Sequence, residues 1–134
     1  MTPTVYVINT HALLWFLAGM AQLGINARAI LQNPASRLIL PVTALAEACW
    51  IVGRGKIPLN VADALAALDA DARITVYPMD RALVEICNGL TAVGEMHDRQ
   101  IVATALAIAA QGETVALLTK DENITASGAV AVVW

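Results

Sequence analysis

Charge is scarce in this sequence: only 14% of its 134 residues are Asp, Glu, Lys or Arg, and the formal net charge is −3. A surplus of acids argues against a bulk electrostatic grip on nucleic acid, because affinity for phosphate comes from Lys and Arg. Aromatics stand at 4%, so the interior must be built from the Ala, Val, Leu and Ile that dominate a hydrophobic share of 58%. That share exceeds the average for a soluble domain. Cys49 and Cys87 lie in apolar helical patterns with no CxxC or Cys/His spacing, and so read as buried free thiols rather than a disulfide or a zinc site. The uncharged apolar run Ile101–Ala110 falls well short of the roughly 20 residues that span a bilayer. Residues Met1–Thr4 carry no basic side chain, which does not fit a signal peptide and leaves the cytoplasm as the expected location. There is no internal repeat, low-complexity stretch or linker, so residues 1–134 are expected to form one domain, long enough to bury a core without disulfides or a structural metal.

What is present is an alternation of strand-like and helix-like segments. Val5–Ile8 is a continuous apolar, β-branched run, the mark of a strand buried on both faces, and it stops at Asn9. Thr10 reads as the N-cap of a helix over His11–Leu17, and a second helix is expected over Asn26–Gln32, closed by Asn33-Pro34. Arg37–Leu40 is the next strand, stopped by Pro41, and Thr43 reads as the cap of a helix running to about Val52, where Gly53 and Gly55 leave Arg54 and Lys56 exposed. Helical spacing over Val61–Leu68 precedes a third strand at Ile74–Tyr77 and a short helix at Arg81–Cys87. Asp98 reads as opening an amphipathic helix ended by Gly112, followed by strands at Val115–Leu118 and Val130–Val133 with a helical turn around Glu122–Ala126 between them. The alternation implies an α/β fold with a parallel sheet of about five strands between two helical layers, joined by right-handed crossovers. The apolar surplus argues for a partner chain or self-association, with Trp15, Phe16 and Trp50 as exposed candidates.

In open parallel sheets, ligands collect beyond the C-terminal strand ends. Asn9 directly follows the first strand there, and Asp121 follows the fourth after Thr119 and Lys120. Glu47 is the only charged residue between Thr43 and Gly53. An unpartnered buried carboxylate is disfavoured by several kcal/mol, so Glu47 must be paired, exposed at an edge, or holding a cation. Asp98 reads equally well as an N-cap or as a member of an acidic site, and Asp121 by itself as a turn residue. Converging carboxylates repel each other by roughly 3 kcal/mol per pair at ~5 Å, and a divalent cation offsets that repulsion. Mg²⁺ or Mn²⁺ prefers oxygen ligands and would assist attack of water on a phosphodiester. His11 and His97 have no metal spacing and read as capping or RNA-contact residues.

At this point the residues resemble a known family. Val5-Tyr6-Val7-Ile8-Asn9-Thr10-His11-Ala12-Leu13-Leu14-Trp15 resembles the opening of PIN-domain proteins, where a strand ends in an aspartate followed by Thr and an apolar helix. Ala46-Glu47, His97-Asp98-Arg99, Leu118-Thr119-Lys120-Asp121-Glu122-Asn123 and the closing Val132-Val133-Trp134 resemble later patches in the same order, most closely in the toxin ribonucleases of VapBC-type modules. The resemblance implies a PIN-like α/β/α sandwich and a Mg²⁺- or Mn²⁺-dependent endoribonuclease. It also implies a protein that is usually a homodimer and is neutralised by an antitoxin inserted into its active-site groove. The metal-holding and catalytic positions fall on Asn9, Glu47, Asp98 and Asp121, and Thr10, Arg99, Thr119 and Lys120 beside them are candidate RNA contacts.

One departure matters, since the family's first acidic position is Asn9 here. Its carbonyl oxygen can still meet a metal, yet one formal charge is missing, worth up to roughly 4 kcal/mol at ~4 Å before screening. Two readings therefore stand: an attenuated RNA-cutting toxin, and a PIN-like module that binds antitoxin or RNA without cutting. A phosphoacceptor signalling domain would need an acidic pair near the first strand, which Asn9-Thr10 does not supply.

Overall fold

The computed structural model describes residues 3–134. Five strands form one sheet in the order β3-β2-β1-β4-β5, every pairing parallel. They are β1 (Val5–Ile8), β2 (Arg37–Pro41), β3 (Ile74–Tyr77), β4 (Val115–Leu118) and β5 (Val132–Val133). The helices are α1 (Thr10–Leu17), α2 (Ile25–Gln32), α3 (Val42–Gly53), α4 (Val61–Ala70), α5 (Arg81–Gly89), α6 (Met96–Ala109) and α7 (Glu122–Ser127). Consecutive residues of β4, Ala116, Leu117 and Leu118, are all buried, as are Val7 and Ile8 of β1. Side chains alternate across a strand, so both faces of the central pair are covered by helices. The α/β/α sandwich expected from the alternating pattern is the observed architecture.

The chain leaves β1 toward β2 and β3 on one side and returns to place β4 and β5 on the other. The strand order therefore reverses between β1 and β4, and such a switch point opens a crevice at the C-terminal strand ends. Asn9 and Thr119 are the first residues beyond β1 and β4, and the Asn9 N–H donates to the Leu118 carbonyl at 3.4 Å. The core beneath is aliphatic, with Leu13, Leu14, Leu31, Leu40, Ile101 and Ile124 all at 1% exposure or less.

Several local expectations are corrected. Thr10 does not cap α1; Asn9 does, its Oδ1 accepting the Thr10 N–H, and Thr10 is the first helical residue. Thr43 likewise sits inside α3, which starts straight after Pro41 without a side-chain cap, and its hydroxyl donates across to Gln100 Oε1 at 2.7 Å. The cap of α6 is Glu95 rather than Asp98. Glutamate is seldom chosen at this position, so capping preference alone favours the wrong acid. The same helix ends at Ala109, with a turn carrying the chain to Gly112 at φ 91. The last strand is shorter than its apolar run, because only Val132 and Val133 find partners, on Leu117 and Leu118. Cys49 and Cys87 are free but half-buried rather than buried. Trp50 is exposed at 64%, whereas Trp15 and Phe16 pack partly buried against the core.

Trp134 closes the fold beside β5. Its carbonyl accepts from Asn26 Nδ2 at 2.9 Å, and its ring lies edge-on to Trp15 with centroids 5.8 Å apart. Gly24 makes this seat possible, since a Cβ there would lie 2.5 Å from both the backbone carbon and the ring Cδ1 of Trp134. Gly24→Ala should therefore push Trp134 out of place and cost about 1–3 kcal/mol through overpacking. A thermal melt should register this as a fall of several degrees, and an unchanged melting temperature would contradict the seat.

Candidate active site

Two threonines brace the switch point. Asn9 donates through Nδ2 to Thr119 Oγ1 at 2.8 Å, and the same oxygen accepts the Asp121 N–H at 3.1 Å. Thr119 thereby ties the end of β1 to the loop after β4 and fixes where Asp121 begins α7. The Asp121 Oδ1 accepts the Ile124 N–H at 2.9 Å, so this acid is an N-cap as well as a member of the cluster. On the other side, Thr10 Oγ1 donates to Glu47 Oε1 at 3.0 Å, bringing the lone acid of α3 to the start of α1. Thr10 and Thr119 are each only 3% exposed. Both act as internal braces, and Thr119 also lines the open recess over the site.

Glu47 is neither orphaned nor fully buried. Beyond Thr10, its Oε2 lies 3.9 Å from His97 Nδ1, which is held closer, at 3.0 Å, by Glu95 Oε1. The second oxygen of Glu95 caps α6 by accepting the Asp98 N–H at 2.8 Å. Asp98 thus stands in the first turn of α6, near that helix's own cap Glu95 and in the field of Glu47 from α3 and Asp121 from the loop after β4. Partial burial, together with the charges of Asp121, Glu95 and Glu47, pushes its carboxyl up to about 6, with only His97 acting in the opposite direction. Like charges gathered this way disfavour ionisation, and perturbed acids of this kind mark functional sites more often than inert surface.

The four residues singled out from the sequence are therefore linked, Asn9 to Asp121 through Thr119 and to Glu47 through Thr10, with Asp98 in the field of both distant acids. Glu95 joins them without an earlier signal, its only trace being a position three residues before Asp98. Among the described residues, no three His, Cys, Asp or Glu side chains draw close enough to hold an ion by themselves. The donor set is nevertheless made of carboxylate and amide oxygens, with Asp98 raised by burial and by the neighbouring acids, and this chemistry fits a hard divalent cation rather than a soft one. Lys120 is exposed beside the cluster, its Nζ 4.7 Å from the centroid of the Trp15 ring. Arg99 turns away, donating through Nε to the Val93 carbonyl, and lines a separate recess with Val84 and Cys87. An open recess of ≈ 590 Å³ lies over Asn9 and Asp121, walled by His11, Trp15, Lys120 and Trp134.

Known structures share the fold. The Mycobacterium tuberculosis protein VapC20, described as a sarcin–ricin loop cleaving toxin, shares the fold with a TM-score of 0.66 and 15% identity, over 92% of this chain and 95% of that one. FitAcB from Neisseria gonorrhoeae matches with a TM-score of 0.64 and 18% identity, over 96% of each chain. FitAB bound to an IR36 DNA fragment gives the same score and identity, over 96% of this chain and 94% of that one. No curated protein matches in sequence. At such low identity these likenesses speak for the fold alone. The sequence itself goes further: the PIN domain profile matches residues 6–128, a span that takes in the switch-point crevice with Asn9, Glu47, Asp98 and Asp121, and the chain belongs to the PIN-domain family.

Proposed function

We propose that this chain is a metal-dependent endoribonuclease, the toxin of a toxin–antitoxin pair, attenuated by Asn9. The observation that carries the reading is the crowding of Asp98 by Asp121, Glu95 and Glu47 at the switch point of a charge-poor protein. Repelling acids brought together from three parts of the chain, α3, the start of α6 and the loop after β4, serve no purpose in packing, whereas they suit capture of a cation. Glu47, Asp98 and Asp121 would hold Mg²⁺ or Mn²⁺, with the Asn9 amide oxygen as a weak fourth donor. Such a cation, when bound, supplies Lewis acidity toward water and offsets charge on the phosphate oxygens. The protein's own part is positional: Thr10 and Thr119 fix Glu47 and Asp121, and exposed Lys120 meets the negative backbone of the substrate.

The toxin description of VapC20 and the two-component name FitAB support a cognate antitoxin as partner, and exposed apolar side chains such as Trp50 and Met96 would suit contact with it. A homodimer would cover the same kind of apolar surface. No helix among the described residues is long and apolar enough to cross a membrane, which fits a protein acting on RNA in the cytoplasm.

A non-cutting module is the second reading, favoured by one observation. Both ends of the Asn9 amide are engaged within the protein, Oδ1 on the Thr10 N–H and Nδ2 on Thr119. The test is cleavage of single-stranded RNA in Mg²⁺ or Mn²⁺ by this chain and by Asn9→Asp. Cleavage that chelation abolishes supports the nuclease, and an intact, metal-binding Asn9→Asp protein that never cuts RNA leaves only the binding module.

A further inference from the structure

The edge strand β5 pairs with β4 through Val132 and Val133 alone. So short a strand does not hold by itself, since strands ordinarily run to about five or six residues. Its anchor is the residue that follows. The Trp134 carbonyl accepts from Asn26 Nδ2 at 2.9 Å, its ring stands edge-on to Trp15 at 5.8 Å, and the bare backbone of Gly24 leaves room for both. A partly buried indole with an aromatic partner contributes at least as much as the few ladder bonds of such a strand. The pairing of β5 therefore depends on the seat of Trp134.

That pairing reaches the acids. The Ala131 carbonyl accepts the Leu117 N–H at 2.8 Å, and the Val133 carbonyl accepts the Thr119 N–H at 3.2 Å, one residue beyond the end of β4. Thr119 is the residue whose hydroxyl oxygen receives both Asn9 Nδ2 and the Asp121 N–H. A second path from Trp134 runs through Trp15, whose ring carries Lys120 Nζ at 4.7 Å from its centroid. Trp134 thus bears on Thr119 through the backbone of β5 and on Lys120 through Trp15, the two residues that precede Asp121. Asp121 makes no ion pair among the described residues, so the backbone of its loop sets its aim. The six-residue helix α7 that it caps is too short to fix that loop unaided.

We propose that Trp134 is a positioning residue for Asp121, seated by Gly24 and Asn26 and acting through the bond from the Thr119 N–H to β5 and through the Trp15–Lys120 contact. Loss of the seat frees β5, releases Thr119 and lets Asp121 swing away from the other acids. The proposal rests on the reading of those acids as a cation site and adds a support for it outside the crevice.

Amide hydrogen exchange, resolved residue by residue by NMR in EDTA, tests this. Gly24→Ala leaves every acid and Trp134 itself in the chain but removes the seat. In this variant the Thr119, Asp121 and Ile124 amides should exchange about tenfold faster, as expected for local opening of one aromatic contact. The Val5 N–H, bonded to the Thr114 carbonyl at 2.8 Å at the opposite end of β4, should keep its protection. Trp134→Leu should reproduce the pattern, and Trp134→Phe, which keeps a ring against Trp15, should restore most of the protection. Asn26→Ala, at an exposed position, removes only the bond to the Trp134 carbonyl, should speed the same three amides, and covers the case in which the other variants fail to fold. Mn²⁺ titrated into the intact chain without RNA should bind Gly24→Ala about ten- to a hundredfold more weakly than the parent, the range for loss of a group that orients a metal ligand. Unchanged exchange at Thr119 overturns the proposal, and so does equal acceleration at Val5 and Thr119, which means a general loss of stability. An unchanged Mn²⁺ affinity beside a loosened Thr119 overturns it as well. A parent chain that binds no Mn²⁺ removes the nuclease reading, and the exchange pattern then decides the positioning by itself.

Discussion

Asn9→Asp should raise Mg²⁺- or Mn²⁺-dependent RNA cleavage by about tenfold to a thousandfold, a factor of ten for each 1.36 kcal/mol of transition-state stabilisation. The surroundings accept the change. An aspartate caps a helix as well as an asparagine does, so the new carboxylate keeps the bond from the Thr10 N–H. Toward Thr119 the bond must reverse, because the carboxylate cannot donate. The Thr119 hydroxyl at present accepts from both Asn9 Nδ2 and the Asp121 N–H, which leaves its own hydrogen free to turn toward Asn9→Asp. The fold is thus unharmed while the cluster gains a charge, worth up to roughly 4 kcal/mol to a cation at ~4 Å before screening. Adding Asp98→Asn to Asn9→Asp should abolish the gain, while antitoxin binding, spread over many apolar contacts, should change less. Titration of Mn²⁺ alongside single-turnover cleavage of a labelled RNA separates metal capture from chemistry. Unimproved cleavage in a folded Asn9→Asp protein that binds metal would remove the nuclease reading.

Metal-free protein should lose stability as the pH rises from about 4 to about 6, by an amount that Asp98→Asn removes. Asp98 holds its proton up to about 6 in the folded chain against an ordinary value of 3.8. The folded state therefore binds that proton more tightly than the unfolded state, and the associated stability is complete below about 3.8 and lost as the pH passes through about 6. Asp98 is partly solvated, so screening reduces the nominal linkage to about 1–2 kcal/mol. Other acids act in the opposite direction. Asp71 and Glu113 are held below their ordinary range by Arg73 and Arg37 and stabilise the fold as the pH rises through the acid range. The informative quantity is accordingly the difference between melting temperatures of the parent and Asp98→Asn, measured in EDTA. That difference should open in favour of Asp98→Asn between pH 4 and 6, and Mg²⁺ should then raise the parent's melting temperature without raising that of the variant. Parallel curves across this range would mean that neither burial nor the neighbouring acids hold the Asp98 proton.

Much of the scaffold follows from local pattern because three of the strands are short, largely apolar runs with a clear stop. Val5–Ile8 meets Asn9, Ile74–Tyr77 meets Pro78, and Val115–Leu118 ends at Thr119, and these three match the observed strands to the residue. Where local pattern failed, a partner outside the segment decided the outcome. Val130–Val133 is uniformly apolar, yet only Val132 and Val133 pair, because β4 offers them two positions. Asp98 has the better capping side chain, but Glu95 stands where α6 begins. For the site, the strand-end rule singled out Asn9 and Asp121, and the isolation of its charge singled out Glu47. The bracing by Thr10 and Thr119, the entry of Glu95 and the wall made by Trp134 depend on contacts between distant segments. Periodicity carries no information about them.

The brace from Asn9 to Thr119 joins residues 110 positions apart in the chain. Closing so long a loop precedes any reward from the contact, which delays such pairings in folding. A growing polypeptide that already holds β1 and α1 therefore has the first position of the site but neither its anchor nor Asp121, and no local fragment can rehearse the chemistry. Competence arrives together with the pairing of β1 and β4, as one cooperative event. On the proposed reading, a partner that recognises the finished crevice would find it only after that pairing, and one able to prise β4 from β1 would undo the site without touching a single acid.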